Sequence, residues 1–188
     1  MKFGGTSVGS AARMRVAADL IAAEAMKRPV VAVVSAMSKV TDLLLDTTRH
    51  AEAGDQAGVE RGLEQLETRH REAAHDLGVD REIADILGDF RRIVSGIQML
   101  AYRPPRAVDE AIAVGERLSA LLIAEHLISR GIRAQAVNAA EVIVTDAVFN
   151  NASPLMEQTT AKARARLHPL LEAGTIPIVT GFNGATID

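Results

Sequence analysis

The sequence predicts an α/β fold in which a mainly parallel central sheet lies between two layers of helices. Short β-branched runs at 30–34 and 176–180 are apolar throughout, as expected for strands buried on both faces of a parallel sheet. Between the strands lie long stretches whose apolar residues recur at helical spacing, so strands and helices alternate along the chain. Residues 47–100 contain no convincing strand. We therefore predict a three-layer sandwich with a helical insertion over this stretch.

Length and composition fit one globular unit. The 188 residues include 48% apolar and 24% charged side chains, with a net charge of −3, which is enough chain to bury one core. No basic run indicates nucleic-acid binding, and no apolar stretch approaches the roughly 20 residues that span a bilayer. The chain has no cysteine, which excludes disulfides and thiolate metal sites and is compatible with a reducing cytoplasm.

The first ten residues combine a strand end, a glycine turn and a helix start. Lys2 and Phe3 end the strand, Gly4 and Gly5 form the turn, and Ser10 is placed to cap the helix. Free backbone amides at a helix start bind phosphate, and an ammonium group at position 2 can reach the same anion. The segment matches neither the P-loop nor the dinucleotide fingerprint. It predicts an anion-binding loop, with a plain turn between strand and helix as the alternative.

A small, hydroxyl-rich loop follows the second predicted strand. Residues 35–41 have the sequence Ser-Ala-Met-Ser-Lys-Val-Thr and stand where the carboxyl ends of parallel strands carry ligand-binding loops. Ser35 and Thr41 can offer hydrogen bonds to a substrate. The alternative is that one of them caps the following helix.

The insertion at 47–100 is predicted to contain two or three helices. Its charges alternate in sign along exposed faces, which is typical of solvated surfaces. Its histidines lack the spacing of metal ligands, so we predict no metal site there. The insertion could form part of a dimer contact or a lid.

A long helix is predicted to end at Gly131, and the run 114–120 interrupts its apolar pattern. Gly115 inside a helix costs about 1 kcal/mol relative to alanine, which calls for a reason such as close packing or the approach of a ligand. Glu116 stands next to Arg117. Taken in isolation, this pair is most simply a surface ion pair that contributes little to stability.

The last part of the chain ends in a second glycine turn. A strand over 132–137, a short strand over 141–145 and a helix over 155–172 precede the buried strand at 176–180. Gly-Phe-Asn-Gly follows at 181–184. Phe182 either forms the wall of a small-molecule pocket or plugs the core.

Four of these segments stand in the order found in the aspartokinases, a branch of the amino-acid kinase family. The segments that resemble that family are Lys2-Phe-Gly-Gly-Thr-Ser7, the run 35–41, the helix segment 114–120 and the turn 181–184. Together they cover the chain from end to end. The resemblance implies the family's fold and the transfer of a phosphoryl group from ATP to the side-chain carboxylate of L-aspartate. That reaction is the first step towards lysine, threonine and methionine.

The resemblance also implies roles for individual residues. Five residues would bind the phosphates of ATP: Lys2, Gly4, Gly5, Thr6 and Ser7. Four residues would hold the aspartate: Ser35, Thr41, Glu116 and Phe182. Lys2 would be catalytic by stabilising the transferring phosphoryl group, and Glu116 would face the α-ammonium group. A carboxylate acceptor is already ionised, so the site mainly positions two anions, and Mg²⁺ would arrive with ATP rather than in a protein-built cage.

The resemblance further implies a cytoplasmic homo-oligomer whose partners are L-aspartate and ATP, with no nucleic acid or membrane. The family's Thr-Thr-Leu-Gly-Arg-Gly-Gly-Ser-Asp segment, ATP lobe and regulatory domains have no counterpart in this sequence. Residues 1–188 then form the N-terminal, amino-acid-binding part of a catalytic domain, and we expect negligible kinase activity from them alone. Two alternatives stay open. One is another amino-acid kinase, against which the 35–41 run and Glu116 argue, and the other is a non-catalytic aspartate-binding or dimerisation module.

Overall fold

A parallel sheet with helices on both faces forms the centre of the molecule. The computed structural model describes residues 1–79 and 83–187. Within these residues, the strands of the sheet are β1 (Lys2–Phe3), β2 (Ala32–Val34), β3 (Ala134–Val137) and β4 (Ile176–Thr180), in the order β1-β2-β4-β3. The helices described are α1 (Ala11–Ala25), α2 (Val40–Glu52), α3 (Gln56–Leu77), α4 (Ala84–Leu100), α5 (Pro105–Ser129) and α6 (Met156–Glu172). The predicted parallel sheet is confirmed.

The register of the strands brings their carboxyl ends to one edge of the sheet. Phe3 lies opposite Val34, Val34 lies opposite Thr180, and Val137 lies opposite Val179. All the pairings are parallel. Because the strands run in the same direction, the loops that follow them emerge at the same edge, which is where open parallel sheets bind ligands.

The two faces of the sheet are covered unequally. Val34 and Ile178 belong to a large apolar cluster shared with α1, α5 and the helical insertion. Val137 and Val179 belong to a smaller cluster that packs against α6. Successive side chains of a strand point to opposite faces, which is why residues 178 and 179 lie in different clusters. The three-layer arrangement is confirmed.

The stretch after residue 46 is helical, as predicted, in the part of it that the structure describes. Helices α2, α3 and α4 pack on one another and on α5, and they bury Leu66, Phe90 and Leu118 completely. Gly62 of α3 lies against α2 so closely that a Cβ there would stand 2.1 Å from the Thr47 Oγ1. The insertion is therefore part of the main core, since its apolar stripes join the large cluster under the sheet.

The ends of several helices follow from local sequence. The Ser10 hydroxyl accepts a hydrogen bond from the Arg13 amide at 3.4 Å and caps α1. Helix α5 begins directly at Pro105, and α3 ends at Gly78 in the left-handed conformation. Across residues 1–79 and 83–187, none of the helices combines the length and the apolar character needed to cross a membrane.

The strand predicted over 141–145 is wrong. A short 3-10 turn occupies Ala139–Glu141, and the Asn138 side chain caps it by accepting a hydrogen bond from the Ala140 amide at 3.2 Å. The Glu141 carboxylate accepts a hydrogen bond in return from the Asn138 backbone amide at 3.4 Å. These local bonds compete with strand pairing, and in the described residues this segment forms only isolated bridges.

Candidate functional site

The structure brings together the predicted site segments at the carboxyl edge of the sheet. Lys2 lies in β1, and its Nζ is 3.7 Å from the position that a Cβ on Gly4 would occupy. A Cβ on Gly181 would lie 3.1 Å from the Val34 carbonyl oxygen and 3.5 Å from the Glu116 Oε1. The glycine loop after β1, the end of β2 and the turn after β4 are therefore direct neighbours.

Glycines allow the loop after β1 to pack on the loop after β2. A Cβ on Gly5 would stand 2.9 Å from the Ala36 carbonyl oxygen, and one on Gly9 would stand 3.3 Å from the Ser38 Cβ. The first distance is too short for any real Cβ contact. The backbones of the two loops thus touch at a point where position 5 has no room for a side chain.

The amides and carbonyls of the glycine loop are used differently. Among the described residues, no acceptor is bonded to the amides of residues 4–6. The loop's carbonyl oxygens are bonded within the protein: that of Thr6 accepts from the Arg13 guanidinium, and that of Gly9 accepts from Arg69 at 3.3 Å. This polarity leaves donors available for an anion beside the Lys2 ammonium group.

In the part of the chain that the structure describes, the hydroxyls of Ser35 and Thr41 after β2 have no hydrogen-bond partner. Ser35 is half-buried, and its amide donates to the Phe3 carbonyl oxygen at 3.1 Å, which extends the ladder between β1 and β2. Helix α2 is preceded by Lys39 in the left-handed conformation, with no side-chain cap. Thr41 is exposed in the first turn. The alternative that one of these hydroxyls caps the helix is therefore wrong.

The Glu116 carboxylate holds the turn after β4. Only 6% of this residue is exposed. Its Oε2 accepts hydrogen bonds from the Gly181 amide at 2.9 Å and from the Phe182 amide at 2.8 Å. A buried carboxylate that accepts two amide bonds is well satisfied on that oxygen. Glu116 thus joins α5 to the turn that follows β4.

The electrostatic setting of Glu116 is mixed. Burial raises the pKa of the Glu116 carboxyl above its usual range, while the two amide bonds and the positive charge of Lys2 act to lower it. The alternative of a surface pair with Arg117 is wrong, because that guanidinium bonds to Asp89 at 2.6 Å instead. Lys2 and Glu116 therefore influence each other at the same edge.

Close packing explains the glycine before Glu116. A Cβ on Gly115 would lie 2.8 Å from the Val40 Cγ1 and 2.9 Å from the Ala36 Cβ. Helix α5 therefore contacts the loop after β2 at this point. Of the two possible reasons for Gly115, close packing is the one observed, and it brings Glu116 to the edge of the sheet.

Phe182 lies at the open edge and does not plug the core, because it is 79% exposed. Two surface grooves, of about 450 and 400 Å³, lie elsewhere, one beside Leu43 and Arg69 and the other beside Ile132. Neither groove is lined by a predicted site residue. At this edge, Phe182 is thus exposed while Glu116 beneath the turn is buried.

Sequence reasoning missed a hydrogen-bonded network beside this turn. The Thr180 hydroxyl accepts from the Ala139 amide at 2.8 Å and donates to the Asn183 Oδ1 at 2.7 Å. The Asn183 Nδ2 then donates to the Asn138 Oδ1, also at 2.7 Å. The asparagine inside the Gly-Phe-Asn-Gly turn was a local signal, but its partner stands 45 positions earlier, where no local pattern could identify it.

The groups at the edge suit an anion better than a metal ion. The described residues contain no group of three or more His, Asp or Glu side chains that could hold a metal. Mg²⁺ prefers carboxylate and phosphate oxygens, and the carboxylate at this edge accepts two amides. The Lys2 ammonium group and the open amides of residues 4–6 match the oxygens of a phosphate.

Comparison with known proteins gives consistent relatives. The family model described as the amino acid kinase family matches residues 1–188. Aspartokinase 1, chloroplastic, of Arabidopsis thaliana is 33% identical over 190 residues, which cover 98% of this chain and 33% of that protein. Lysine-sensitive aspartokinase 3 of Escherichia coli (strain K12) is 30% identical over 189 residues, with 98% and 40% covered.

A solved structure agrees with these relatives. The crystal structure of E. coli aspartokinase III in complex with aspartate and ADP matches with a TM-score of 0.82 at 28% identity, over 99% of this chain and 41% of that one. The chain spans only about a third to two fifths of the length of these relatives. The family model nevertheless matches it from the first residue to the last. The chain belongs to the amino acid kinase family.

Proposed function

We propose that this chain is part of an aspartate kinase, which transfers a phosphoryl group from ATP to L-aspartate and forms 4-phospho-L-aspartate and ADP. One observation carries the proposal: the groups suited to an anion and those suited to an amino acid lie side by side at one sheet edge. Relatives named aspartokinases support it, as does a similar structure whose described ligands are aspartate and ADP.

In this proposal, the glycine loop binds the transferring phosphoryl group. Lys2 places a positive charge beside it, the amides of residues 4–6 donate to its oxygens, and Ser7 adds a hydroxyl. Phosphoryl transfer spreads negative charge over the equatorial oxygens, so fixed donors at that point lower the barrier. Mg²⁺ bound to ATP would neutralise further charge. The carboxylate acceptor needs no general base because it is ionised at neutral pH.

The amino acid would lie beside this group, between the loop after β2 and the turn after β4. The Ser35 and Thr41 hydroxyls, which are bonded to no other described residue, would donate to it. Phe182 would cover one side. Glu116 would attract the α-ammonium group by its charge while its Oε2 keeps the turn in place. A ligand without an ammonium group would lose that attraction.

We further propose that residues 1–188 are the N-terminal, amino-acid-binding part of the catalytic domain. Most contacts to the nucleotide base and any regulatory contacts would then come from other parts of the enzyme. The proposal includes a homo-oligomeric assembly and a place in lysine biosynthesis, as well as the cytoplasmic location expected if the chain resembles the bacterial relative.

Calorimetric titration of the 188-residue chain tests the amino-acid site. We expect binding of L-aspartate and much weaker binding of succinate, which has both carboxylates but no ammonium group. Ser35→Ala should weaken L-aspartate binding about tenfold through one lost hydrogen bond, whereas Ser95→Ala, at an exposed position of α4, should leave it unchanged. Equal binding of the two ligands, or none of either, would contradict the proposal.

A turnover assay tests the proposed domain assignment. With ATP, Mg²⁺ and L-aspartate, we expect no phosphoryl transfer above background by the 188-residue chain. Steady formation of ADP that depends on aspartate would show that these residues are sufficient, and the proposed division of the catalytic domain would then be wrong.

A further inference from the structure

We propose that Asn183, acting through Asn138, is a positioning residue for the turn formed by Gly181 and Phe182. Through that turn it sets how tightly the edge of the sheet holds an amino acid, and this second part rests on the function proposed above. Neither asparagine needs to touch the ligand. Both act by fixing the shape of a turn whose other anchor is Glu116.

The donors and acceptors of this hydrogen-bond network can be assigned in only one way. The Ala139 amide donates to the Thr180 hydroxyl at 2.8 Å, so the hydroxyl proton is free to go to the Asn183 Oδ1 at 2.7 Å. That bond turns the Asn183 Nδ2 towards the Asn138 Oδ1, at 2.7 Å. The Asn138 oxygen is itself identified by the Ala140 amide, which donates to it at 3.2 Å. Both side-chain amides are thus oriented by backbone donors.

The network demands asparagine at position 183. The side chain must accept from Thr180 and donate to Asn138. An aspartate there could accept, but it would set a carboxylate against the Asn138 oxygen, and an alanine could do neither. Position 138 is less demanding. The Asn138 Oδ1 accepts both hydrogen bonds, from the Ala140 amide and from the Asn183 Nδ2. An aspartate side chain at position 138 also offers such an oxygen.

The turn is anchored from opposite sides. Glu116 on α5 accepts from the amides of residues 181 and 182, while the Asn183 side chain ties the next residue to the end of β3. Gly184 packs against the 143–145 segment at the end of the turn. A Cβ on Gly184 would lie 2.6 Å from the Thr145 Cγ2. Without Asn183, the turn would keep Glu116 and the backbone bonds between Ala185 and the 143–145 segment. It would lose the side-chain bonds that lie between those two anchors, and the two amides bonded to the carboxylate would open more often.

Amide hydrogen exchange measured by NMR tests the positioning without any ligand. We expect Asn183→Ala to speed exchange of the Gly181 and Phe182 amides by about tenfold or more, because the side chain loses its bonds to both Thr180 and Asn138. Exchange in the core strand β2 should not change. Asn138→Ala removes the second of these bonds and should give a smaller increase, and Asn138→Asp should restore slow exchange. The double variant N138A/N183A should match Asn183→Ala, because Asn138 reaches the turn only through Asn183 in this network.

A matched control separates this from general destabilisation. Asn151 is exposed in another loop, and Asn151→Ala should leave the exchange of both amides unchanged. Unchanged exchange in Asn183→Ala would overturn the proposal, as would failure of Asn138→Asp to restore protection. Equal acceleration in β2 would also overturn it, since that result would indicate a loss of overall stability.

Titration with L-aspartate then tests the consequence for binding. In Asn183→Ala we expect the Kd for L-aspartate to rise about fivefold to tenfold, with recovery in Asn138→Asp relative to Asn138→Ala. If the wild-type chain binds no L-aspartate, the proposed function fails while the exchange result still decides the positioning role. Faster exchange with an unchanged Kd would overturn the link between the turn and the amino acid.

Discussion

The glycine loop after β1 and the glycine turn after β4 start from the same local pattern and end differently. Both follow a strand of the same parallel sheet, and both expose backbone amides at its carboxyl edge. In the described residues, the amides of 4–6 have no acceptor in the protein. Those of 181 and 182 are bonded to the Glu116 carboxylate. The amides of the first turn can therefore bind an external anion, whereas those of the second are bonded to a carboxylate of the protein itself.

This difference indicates what each turn contributes. Amides at the end of a parallel strand attract negative charge wherever they are left unpaired. An internal carboxylate fixes the second turn and also places a negative charge near Lys2. The open loop keeps its shape by another means, because arginines bond its carbonyl oxygens. The turn after β4, held by Glu116, and the loop after β1, with its unbonded amides, therefore lie at the same edge of the sheet among the described residues.

Removing the internal anion should have the largest effect. For Glu116→Ala we expect the free energy of unfolding to fall by about 3 kcal/mol, because two amides lose a charged acceptor. Glu116→Gln retains an oxygen acceptor and should cost about 1 kcal/mol. Urea denaturation measures both, with the exposed Glu64→Ala as the control. An alanine variant as stable as the wild type would remove the basis for calling this turn internally anchored.

The next effect concerns a buried polar group in the insertion that, unlike Glu116, is only half satisfied. His70 is fully buried, with Nδ1 at 2.8 Å from the Leu66 carbonyl oxygen and Nε2 unpaired within the described residues. Burial lowers the pKa of the His70 imidazole from 6.5 to about 4. As the pH falls, the His70 imidazole therefore takes up a proton in the unfolded chain before it does so in the folded one. The stability that the neutral, buried imidazole provides is complete above pH 6.5 and is lost towards pH 4.

For His70 we expect the wild type to lose about 2 kcal/mol of stability between about pH 7 and about pH 5 through this group. His70→Gln cannot titrate and should lack that loss. The exposed His75→Gln in the same helix should keep it. Denaturant midpoints at both pH values test this. If His70→Gln lost as much stability as the wild type between these pH values, the pH dependence would come from other titratable groups.

Adjacent glycines allow a sharper test of the open loop. A Cβ on Gly5 would meet the Ala36 carbonyl oxygen at 2.9 Å, whereas one on Gly4 meets only the Lys2 Nζ at 3.7 Å. We expect Gly5→Ala to lower the free energy of unfolding by about 1.5 kcal/mol, and Gly4→Ala to change it by less than about 0.5 kcal/mol. Urea denaturation of the two variants measures the difference. Equal costs would mean that the two loops are not in close backbone contact at position 5.

The smallest effect on stability is expected for Lys2. This side chain is exposed, so Lys2→Ala should change the free energy of unfolding by less than about 0.5 kcal/mol. It should still weaken pyrophosphate binding about tenfold, because one charge-assisted bond is lost. The exposed Lys162→Ala serves as the control. Pyrophosphate binding that survives Lys2→Ala unchanged would indicate that the open amides do not work with this ammonium group.

Local signals predicted the elements better than the contacts between them. The Ser10 cap and the strand at 176–180 were predictable, because each depends on neighbours within a few positions. The strand expected at 141–145 was wrong, because the Asn138 cap satisfies the backbone locally. Glu116 was singled out only by family resemblance, and its bonds to amides 65 and 66 positions away could not be inferred from spacing.

By itself, the sequence determined the alternation of strands and helices, the glycine turns and the lysine before the first of them, since these depend on backbone freedom and apolar period over short distances. Only the tertiary structure decided which turn keeps its amides open and which has them bonded. That outcome depends on whether a carboxylate from a distant helix reaches the turn, and on the close approach of α5 permitted by Gly115. Contacts of such range arise when the sheet and helices pack together.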